Sequence, residues 1–464
     1  MAKISTEGKV KAALNLGHTT NKSIRVMHYF STNVKTFSLY DNVRSIPYLT
    51  DGFKSSQRKA ICGALHRGES AGEMQVERLA AAIAAHTDYH HGANSMASTI
   101  VNLANDKTPG MNNMNLFVPE GQFGSRLTKE PGAARYIFTR LSPYFRDLFK
   151  KEDDCILEPI IVDGEEIEPK TYIPLLPISL VNGASGTGTG HACEIFSYHP
   201  NELRDAVVKV LEGKKLKAMT LTPWFRGYHG TVARDKVTGQ VTFTGKLEVV
   251  NSTTIRITEI PIGVYLDSYR ETLHKLEEAE VVREHDDRST EDSFEFIVTV
   301  PRSTTALSEA ELYKKFKLVG RGTENFTLWN IEGILTRYSS PEAVIEAFVP
   351  WRLAQYETRR QKLISDTIEL IRYQSEVVRF IRFYLSNTKV FKDTSKVELL
   401  KLLLNNNFVD YERLLAMPIW NLTKDKIAEI EKKLADLKAY LASLKADSAP
   451  EMYKRELKAF SYQG

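Results

Sequence analysis

Apolar residues recur at helical spacing through the first quarter of the chain. Ile61 and Leu65 stand four apart behind Ser55 and Ser56, and either serine can cap a helix running through Lys59, Ile61, Ala64 and Leu65. Leu79 and Ile83 share one face of an alanine-rich stretch from Glu73 to Ala85, and Ile100 and Leu103 mark a third helix, with Asn94 or Ser95 as its cap. Upstream, Arg44-Ser45-Ile46-Pro47 reads as extended because proline disfavours a helical residue before it. Asp51-Gly52 reads as a tight turn. Ile24 to Tyr40 mixes aromatic and β-branched residues and gives only a weak signal, and residues 1–20 are polar enough to be an arm.

Further along, the period changes. Asp163-Gly164 sits between apolar pairs as a hairpin turn. Between residues 220 and 340 the period is two, in Val241 to Thr244, Thr254 to Ile257 and Phe294 to Val300, with short helices around Val264 to Glu278 and Glu309 to Phe316. After Ser340-Pro341, a cap and a first helical residue, the pattern is helical again, and Pro350 should break or kink it. Leu363/Ile364, Leu370/Ile371, Val377/Val378 and Tyr384/Leu385 repeat every seven residues. Ile427, Ile430, Leu434, Leu437, Leu441 and Leu444 alternate spacings of three and four. Two long helices flanking the compact apolar segment Leu399 to Trp420 predict an antiparallel intrachain coiled coil with a globular tip. The fold class is α+β.

Composition changes this picture little. The 464 residues hold two to four domains, 42% hydrophobic and 26% charged. No apolar run is long enough to span a membrane, and the start MAKISTEGKV has no secretory signal pattern. Cys62, Cys155 and Cys193 are too widely spaced for a zinc knuckle, and an odd count speaks for a reducing compartment. Charge is informative: residues 1–150 carry 19 Lys and Arg against 11 Asp and Glu, and the remainder 43 against 47. A basic leading segment suits a polyanionic partner.

That segment also holds the candidate chemistry. In Gly121-Gln122-Phe123-Gly124-Ser125-Arg126-Leu127 two glycines flank an aromatic and an arginine. Shortly after come Arg135 and Tyr136, ahead of an apolar run. A phenol ionises near pH 10, so a nucleophilic tyrosine needs cations to stabilise its phenolate, and guanidinium also matches a pair of phosphate oxygens. The chemistry suggested is attack on a phosphodiester to give a phosphotyrosine. Lys54, Gln57, Arg58 and Lys59 crowd the expected exposed first turn of the helix after Asp51-Gly52, a position suited to phosphates or the major groove. His90-His91 has no cysteine or carboxylate at a ligand spacing, so no metal ligands are assigned. Gly183 to Gly190 is glycine-rich but lacks the Gly-Lys-Ser/Thr ending of a phosphate-binding loop, so ATP binding is rejected there.

GQFGSRL and AARYIFTRLSP resemble the active-site segment of type IIA DNA topoisomerases. So, in the family's order, do Arg44 to Leu65, Asp88 to Ala104, Tyr172 to Gly190 and Met417 to Ile427. Within that family the chain is most similar to the cleavage subunits of T-even-type phage enzymes, which carry this half alone. The resemblance implies a winged-helix domain with the catalytic tyrosine over 21–160, behind the 1–20 arm. A tower domain follows over 161–340, then a coiled coil and C-gate over 341–464. It implies Tyr136 as nucleophile, Arg135 on the scissile phosphate, His91 as proton acceptor and Arg44 completing the cationic shell. Lys54, Gln57, Arg58, Lys59, Gln122, Ser125, Arg126 and Thr187 become the DNA contacts. Thr187 stands where the family has an intercalating isoleucine, so a shallower DNA bend is expected.

The resemblance further implies double-stranded DNA as substrate, a homodimer through the winged-helix and C-gate surfaces, and no membrane. The cytoplasm of a phage-infected bacterium is the expected location. The chain shows no Glu-Gly-Asp-Ser-Ala run and no Asp-x-Asp cluster, so Mg²⁺ and ATP are expected on a large partner protein. It ends shortly after the coiled coil, which predicts relaxation or decatenation in place of negative supercoiling. The alternative is a non-catalytic winged-helix DNA-binding dimer with a coiled-coil spacer. It explains the basic helix and the heptads and leaves Arg44, His91, Arg135 and Tyr136 without a purpose.

Overall fold

In the computed structural model, which describes residues 26–290 and 293–464, the weakly patterned stretch before Tyr40 is helical. A turn over Val26–Tyr29 and a π-helical segment over Phe30–Val34 lead into α1 (Lys35–Ser45). Arg44 and Ser45, expected to be extended, are instead the last residues of α1; only Ile46, directly ahead of Pro47, turns to φ −102°, ψ 130°, because proline restricts just the residue before it. The expected arm over 1–20 lies outside the described residues.

Helix α2 (Ser55–His66) begins without a serine cap. Instead the Gln57 side chain reaches back to accept from the Lys54 amide at 2.8 Å, and Asp51 Oδ1 accepts from the Phe53 amide at 3.1 Å. β1 (Met74–Gln75) leads directly into α3 (Val76–His86), and α4 (Ala93–Ala104) follows. Neither Asn94 nor Ser95 caps α4, because the chain enters it through Gly92 at φ 85°. Ser95 bonds the Tyr89 hydroxyl instead. The three helices pack through Ile61, Leu79, Ile83, Met96 and Ile100, all buried. A methyl on Gly63 would stand 2.6 Å from Ile83 Cγ1, so only glycine allows α2 and α3 this close. β2 (Phe117–Glu120) and β3 (Phe138–Leu141) join β1 in an antiparallel sheet of order β1-β3-β2.

The polar loop Asn112 to Asn115 is an interior clamp. Its asparagines at 112, 113 and 115 are buried, and Asn113 Nδ2 donates to the carbonyls of Tyr198 and Trp224. The hairpin expected at Asp163-Gly164 forms between β4 (Pro159–Val162) and β5 (Glu165–Pro169), both turn residues at positive φ. A second hairpin joins β6 (Ala184–Gly188) to β7 (His191–Ile195), and α5 (Pro200–Leu211) starts on its proline.

The period-two stretches become β8 (Thr231–Arg234), β9 (Val241–Thr244), β10 (Lys246–Asn251) and β11 (Thr254–Glu259). After α6 (Leu266–Glu278) come β12 (Glu284–Asp287) and β13 (Phe296–Thr299). α7 (Glu309–Lys315) and β14 (Val319–Gly322) follow, then the pair β15 (Phe326–Trp329) and β16 (Leu335–Tyr338). Strands β10-β11-β13-β12 form one sheet and β14-β9-β8 another. Helices α6 and α7 close the first over Ile255, Ile257, Phe296, Val298, Leu273, Leu312 and Phe316.

The chain divides into two compact units, Met1–Arg352 with Glu456–Gly464, and Leu353–Arg455. Helix α8 (Pro341–Ser386) contains Pro350, so of the expected break or kink the break does not occur. The apolar face around that proline, Val344, Ile345, Phe348 and Val349, is buried and holds the helix despite the missing amide. Ser340 Oγ accepts from the Ala343 amide, as its cap role requires. In the second unit, α9 (Lys396–Asn405), α10 (Tyr411–Leu415) and α11 (Lys424–Ala446) follow. Arg360 donates to the Leu444 carbonyl and Arg382 to Glu431, so α8 and α11 run antiparallel. All six positions of the 427–444 seam are buried or half-buried. Phe380, Ile381, Leu403, Phe408 and Leu414 fill the core of the segment between them. α12 (Ala449–Ala459) closes the chain.

Candidate functional site

Tyr136 occupies a turn pinned on two sides. Its own amide donates to the Ala133 carbonyl at 2.8 Å. On one side the first amides of α3 reach the turn, Val76 to the Ile137 carbonyl at 3.0 Å and Glu77 to the Ala134 carbonyl at 3.1 Å. Gln75 Nε2 adds a bond to the Arg135 carbonyl. On the other side Gly132 donates to the Gln122 carbonyl at 2.8 Å. Ile137, fully enclosed, wedges where a methyl on Gly121 would come within 3.1 Å of it; Gly121 itself sits at φ +114°. Gly121 of GQFGSRL, together with Gly132, thus lets a loop close over Ile137, while Gly124 lets the backbone pass the Lys129 carbonyl and Asn105.

The result is a rigid turn that turns its next side chain outward. Tyr136 is 70% exposed. The Arg135 guanidinium lies 5.0 Å from its ring centroid, and Arg135 is exposed as well. A phenol offered to solvent beside a guanidinium is an arrangement that can meet a phosphate.

His91 and Arg44 meet elsewhere, through a residue that sequence reasoning missed. Tyr40, on α1, places its hydroxyl 3.1 Å from His91 Nε2 and its ring 5.4 Å from the Arg44 guanidinium. Tyr40 and Arg44 are four apart on one helix, a spacing that brings side chains together and was available from the sequence. Tyr89 stacks edge-on to His91 at 5.3 Å between centroids. His90 turns away and pairs with Asp88 at 3.0 Å, so the two histidines serve different partners. Among the described residues no hydrogen bond or ring contact joins Tyr136 to His91 or to Arg44. The structure builds two clusters, Arg135 with Tyr136 and His91 with Tyr40 and Arg44.

Four of the expected DNA contacts are interior groups. Arg58 is 6% exposed and donates through Nε to Asp51 Oδ2 at 2.5 Å; Asp51 in turn holds the Tyr172 amide. Lys59 bonds the Thr87 carbonyl at 2.6 Å and Glu168 at 2.9 Å. Arg126 reaches Glu259 at 2.5 Å and the Ile260 carbonyl at 2.6 Å, under the ring of Phe294. Ser125 is buried, and its Oγ accepts from the Thr128 amide. The exposed placement expected for Arg58 and Lys59 is therefore corrected. They face inward because each finds a buried carboxylate, and a charge removed from water needs such a partner.

Lys54 and Gln57 do line a cleft, of about 260 Å³, together with Asn102, Asn112, Ser185 and Glu194. Burial pushes the Lys54 ammonium down from its ordinary value, against the pull of Cys193 and Glu194. Gln122 is exposed at a second cleft of about 530 Å³, which Arg140 and Arg226 also line.

The glycine-rich run is a hairpin, and its glycines alternate for a reason. A methyl on Gly186 would stand 1.9 Å from the Ser45 carbonyl oxygen, and one on Gly188 2.2 Å from Asn42 Oδ1. The inward face of β6 thus lies against the end of α1. Asn42 Nδ2 donates to the Thr189 carbonyl and Thr189 Oγ1 to Asp41. Ser185 and Thr187 point the other way, and both are exposed. Thr187 pairs with Ala192, near the hairpin tip.

A family model for the A subunits of DNA gyrase/topoisomerase IV matches residues 44–458. DNA topoisomerase 2 of Arabidopsis thaliana is 37% identical over 390 residues, 81% of this chain and 26% of that protein. The mitochondrial DNA topoisomerase 2 of Dictyostelium discoideum is 31% identical over 453 residues, 94% of this chain and 35% of its own length. The crystal structure of the Plasmodium falciparum topoisomerase II DNA-binding, cleavage and re-ligation domain superposes with a TM-score of 0.86 at 29% identity. That match covers 98% of this chain and 67% of the other. The chain spans about a quarter to a third of the length of these two curated relatives.

Proposed function

The chain belongs to the DNA gyrase/topoisomerase IV family of A subunits, and from that premise we propose that it is the cleavage–religation part of a type II DNA topoisomerase. The observation that carries the reading is Tyr136, held outward by a turn bonded to α3 and to the 121–132 loop, with Arg135 against its ring. Two copies bind one duplex, and each Tyr136 attacks one strand. The phenolic oxygen bonds to phosphorus, the bond to the 3′ oxygen breaks, and the leaving oxygen takes up a proton. One phosphoester replaces another, so resealing is the reverse step and needs no ATP.

Arg135 supports the charge that develops on the phosphate. His91 is the candidate acceptor for the Tyr136 proton, with Tyr40 holding its ring and Arg44 adding positive charge. Because no bond joins the two clusters within one chain, the reading requires bound DNA to bring them to the same phosphate. Lys54, Gln57, Gln122 and Thr187 remain its DNA contacts, and Thr187 implies a shallower bend than an isoleucine would give. Residues 21–160 are read as the winged-helix domain, 161–340 as the tower, and 341–464 as the coiled coil and C-gate. Ile419 and Trp420, 76% and 77% exposed between α8 and α11, suit a C-gate contact between copies.

No Asp-x-Asp or Glu-Gly-Asp-Ser-Ala run accompanies Tyr136 in the sequence. Among the described residues the three-ligand grouping of metal-binding side chains is His274, Glu277 and His285, on α6 and at β12. No step is routed through Mg²⁺ on this chain. The ion and the ATPase belong to a large partner protein, the arrangement of T-even phage enzymes. No helix among the described residues is long and apolar enough to cross a membrane, and the cytoplasm of an infected bacterium is the proposed location.

The test mixes this chain with its ATPase-bearing partner, Mg²⁺ and supercoiled DNA, and stops the reaction with detergent. The reading expects linear DNA with protein on its 5′ ends and free 3′ hydroxyls. DNA that is bound and never broken would favour the non-catalytic dimer.

A further inference from the structure

One rim of the four-stranded sheet carries chemistry that the cleavage reaction does not use. Helix α6 packs on the sheet with β12 as the edge strand. Along β12, His285 and Asp287 are the less exposed residues, and Glu284 and Asp286 are exposed. The stripe of α6 at positions 270, 274 and 277 meets that inward pair. Arg270 bonds Asp287 at 2.7 Å, an ordinary ion pair. One turn further, two imidazoles converge on one carboxylate. His285 Nδ1 lies 2.7 Å from Glu277 Oε1, and His274 Nδ1 lies 3.5 Å from Glu277 Oε2. The two rings meet edge-to-face with centroids 4.8 Å apart.

We propose that His274, Glu277 and His285 bind a divalent transition-metal ion of the zinc class through two imidazole nitrogens and one carboxylate oxygen. One ligand atom from each residue lies within 4.8 Å of the other two. A tetrahedral ion with bonds of about 2.0–2.1 Å needs its ligand atoms about 3.3–3.5 Å apart. The His274–Glu277 separation, which runs to Oε2, already matches, and the carboxylate must turn so that one of its oxygens serves both rings. The His285–Glu277 contact must open by under about 1 Å, which insertion of an ion in place of a shared proton achieves.

The residues suit that adjustment. The side chain of His285 is only 9% exposed and fixed, and that of His274 is 64% exposed and free to swing inward. Neighbouring Lys275 is turned to Glu271 and does not compete for the carboxylate. Because β12 is an edge strand, a fourth position opens to water. Two imidazoles select a zinc-class ion over Mg²⁺, which demands oxygen donors. The ion would clip the last turn of α6 to the sheet edge, independently of Tyr136.

The experiment titrates the metal-free full chain with Co²⁺ and Zn²⁺, reading visible Co²⁺ absorption, bound metal by mass spectrometry and thermal unfolding. The proposal expects one equivalent bound, intense visible bands of low-coordinate Co²⁺, displacement by Zn²⁺ but not Mg²⁺, and a rise in unfolding temperature with metal. His285→Gln and Glu277→Gln should abolish the bands. His274→Ala, at an exposed position that leaves folding intact, should weaken binding at least about tenfold, the loss already typical of outer-shell changes. Failure of the chain to bind Co²⁺ saturably, or binding that His274→Ala leaves unchanged, overturns the proposal.

Discussion

Arg126→Met separates the two roles that sequence and structure give to one residue. As a DNA contact, Arg126 would be dispensable for folding, and its loss would lower the salt dependence of DNA binding by about one unit of slope. In the structure it is 8% exposed and joins the 121–132 loop to the end of β11 through Glu259 and the carbonyls of Ile260 and Pro261. Breaking a buried pair costs about 3–5 kcal/mol, chiefly because one charge is left uncompensated. Glu259 retains the His229 and Ile260 amides, which places the expected loss near the low end, about 3 kcal/mol. Guanidinium unfolding followed by tryptophan fluorescence reads it, since Trp224, Trp329 and Trp351 lie in the first unit. Pairing the change with Glu259→Gln should recover part of the loss. Stability within about 0.5 kcal/mol of the parent, the range of surface substitutions, together with a reduced salt slope, would refute the assignment.

Other changes test other contacts. Gly186→Ala forces a methyl onto the Ser45 carbonyl and should cost about 1–3 kcal/mol of stability and loosen DNA binding. A variant equal to the parent in thermal unfolding and affinity would show that the β6 hairpin does not need α1. Tyr40→Phe removes the hydroxyl bonded to His91; cleavage should slow about tenfold, less than the about 100-fold expected for losing an acid–base group outright, with DNA affinity unchanged in a filter-binding assay. Acid should also destabilise the chain through His86, whose folded pKa burial and the stacked His66, 3.7 Å away, both depress. The unfolded chain then takes the proton first, so this contribution is complete above about pH 6.5 and is lost as pH falls below it. His66→Gln should flatten that acid limb in unfolding midpoints measured across the range.

The elements legible in the sequence were those with a strong period or a stereochemical stop. The 427–444 seam and the Asp163-Gly164 hairpin form where their patterns put them, whereas of the stretch expected to be extended before Pro47 only Ile46 is so. The helix before Tyr40 was obscured because it keeps Val26, Met27, Phe30 and Phe37 exposed and so has no apolar stripe. At Pro350 the break, one of the two expected outcomes, is absent because the buried face around it holds α8 together. At the site, Arg135 and Tyr136 were singled out by their adjacency together with the family resemblance, while their exposure appears only in the fold. The interior places of Arg58, Lys59 and Arg126 were not legible, since their carboxylates come from Asp51, Glu168 and Glu259, the last 133 residues from Arg126. A basic count in residues 1–150 therefore overstates the positive surface. His285 was invisible for the same reason, as β12 meets α6 only in the folded sheet.

The central claim is that Tyr136 is the nucleophile, and the most direct measurement asks which residue carries the DNA. The complex with its partner is incubated with Mg²⁺ and a labelled duplex, trapped with detergent and digested with protease. The nucleotide-bearing peptide is then sequenced by mass spectrometry, for the parent chain and for Tyr136→Phe. The account predicts a phosphonucleotide on Tyr136 in the parent, and no adduct in the variant, which still binds DNA. An adduct on another tyrosine, or one that persists in Tyr136→Phe, would contradict it.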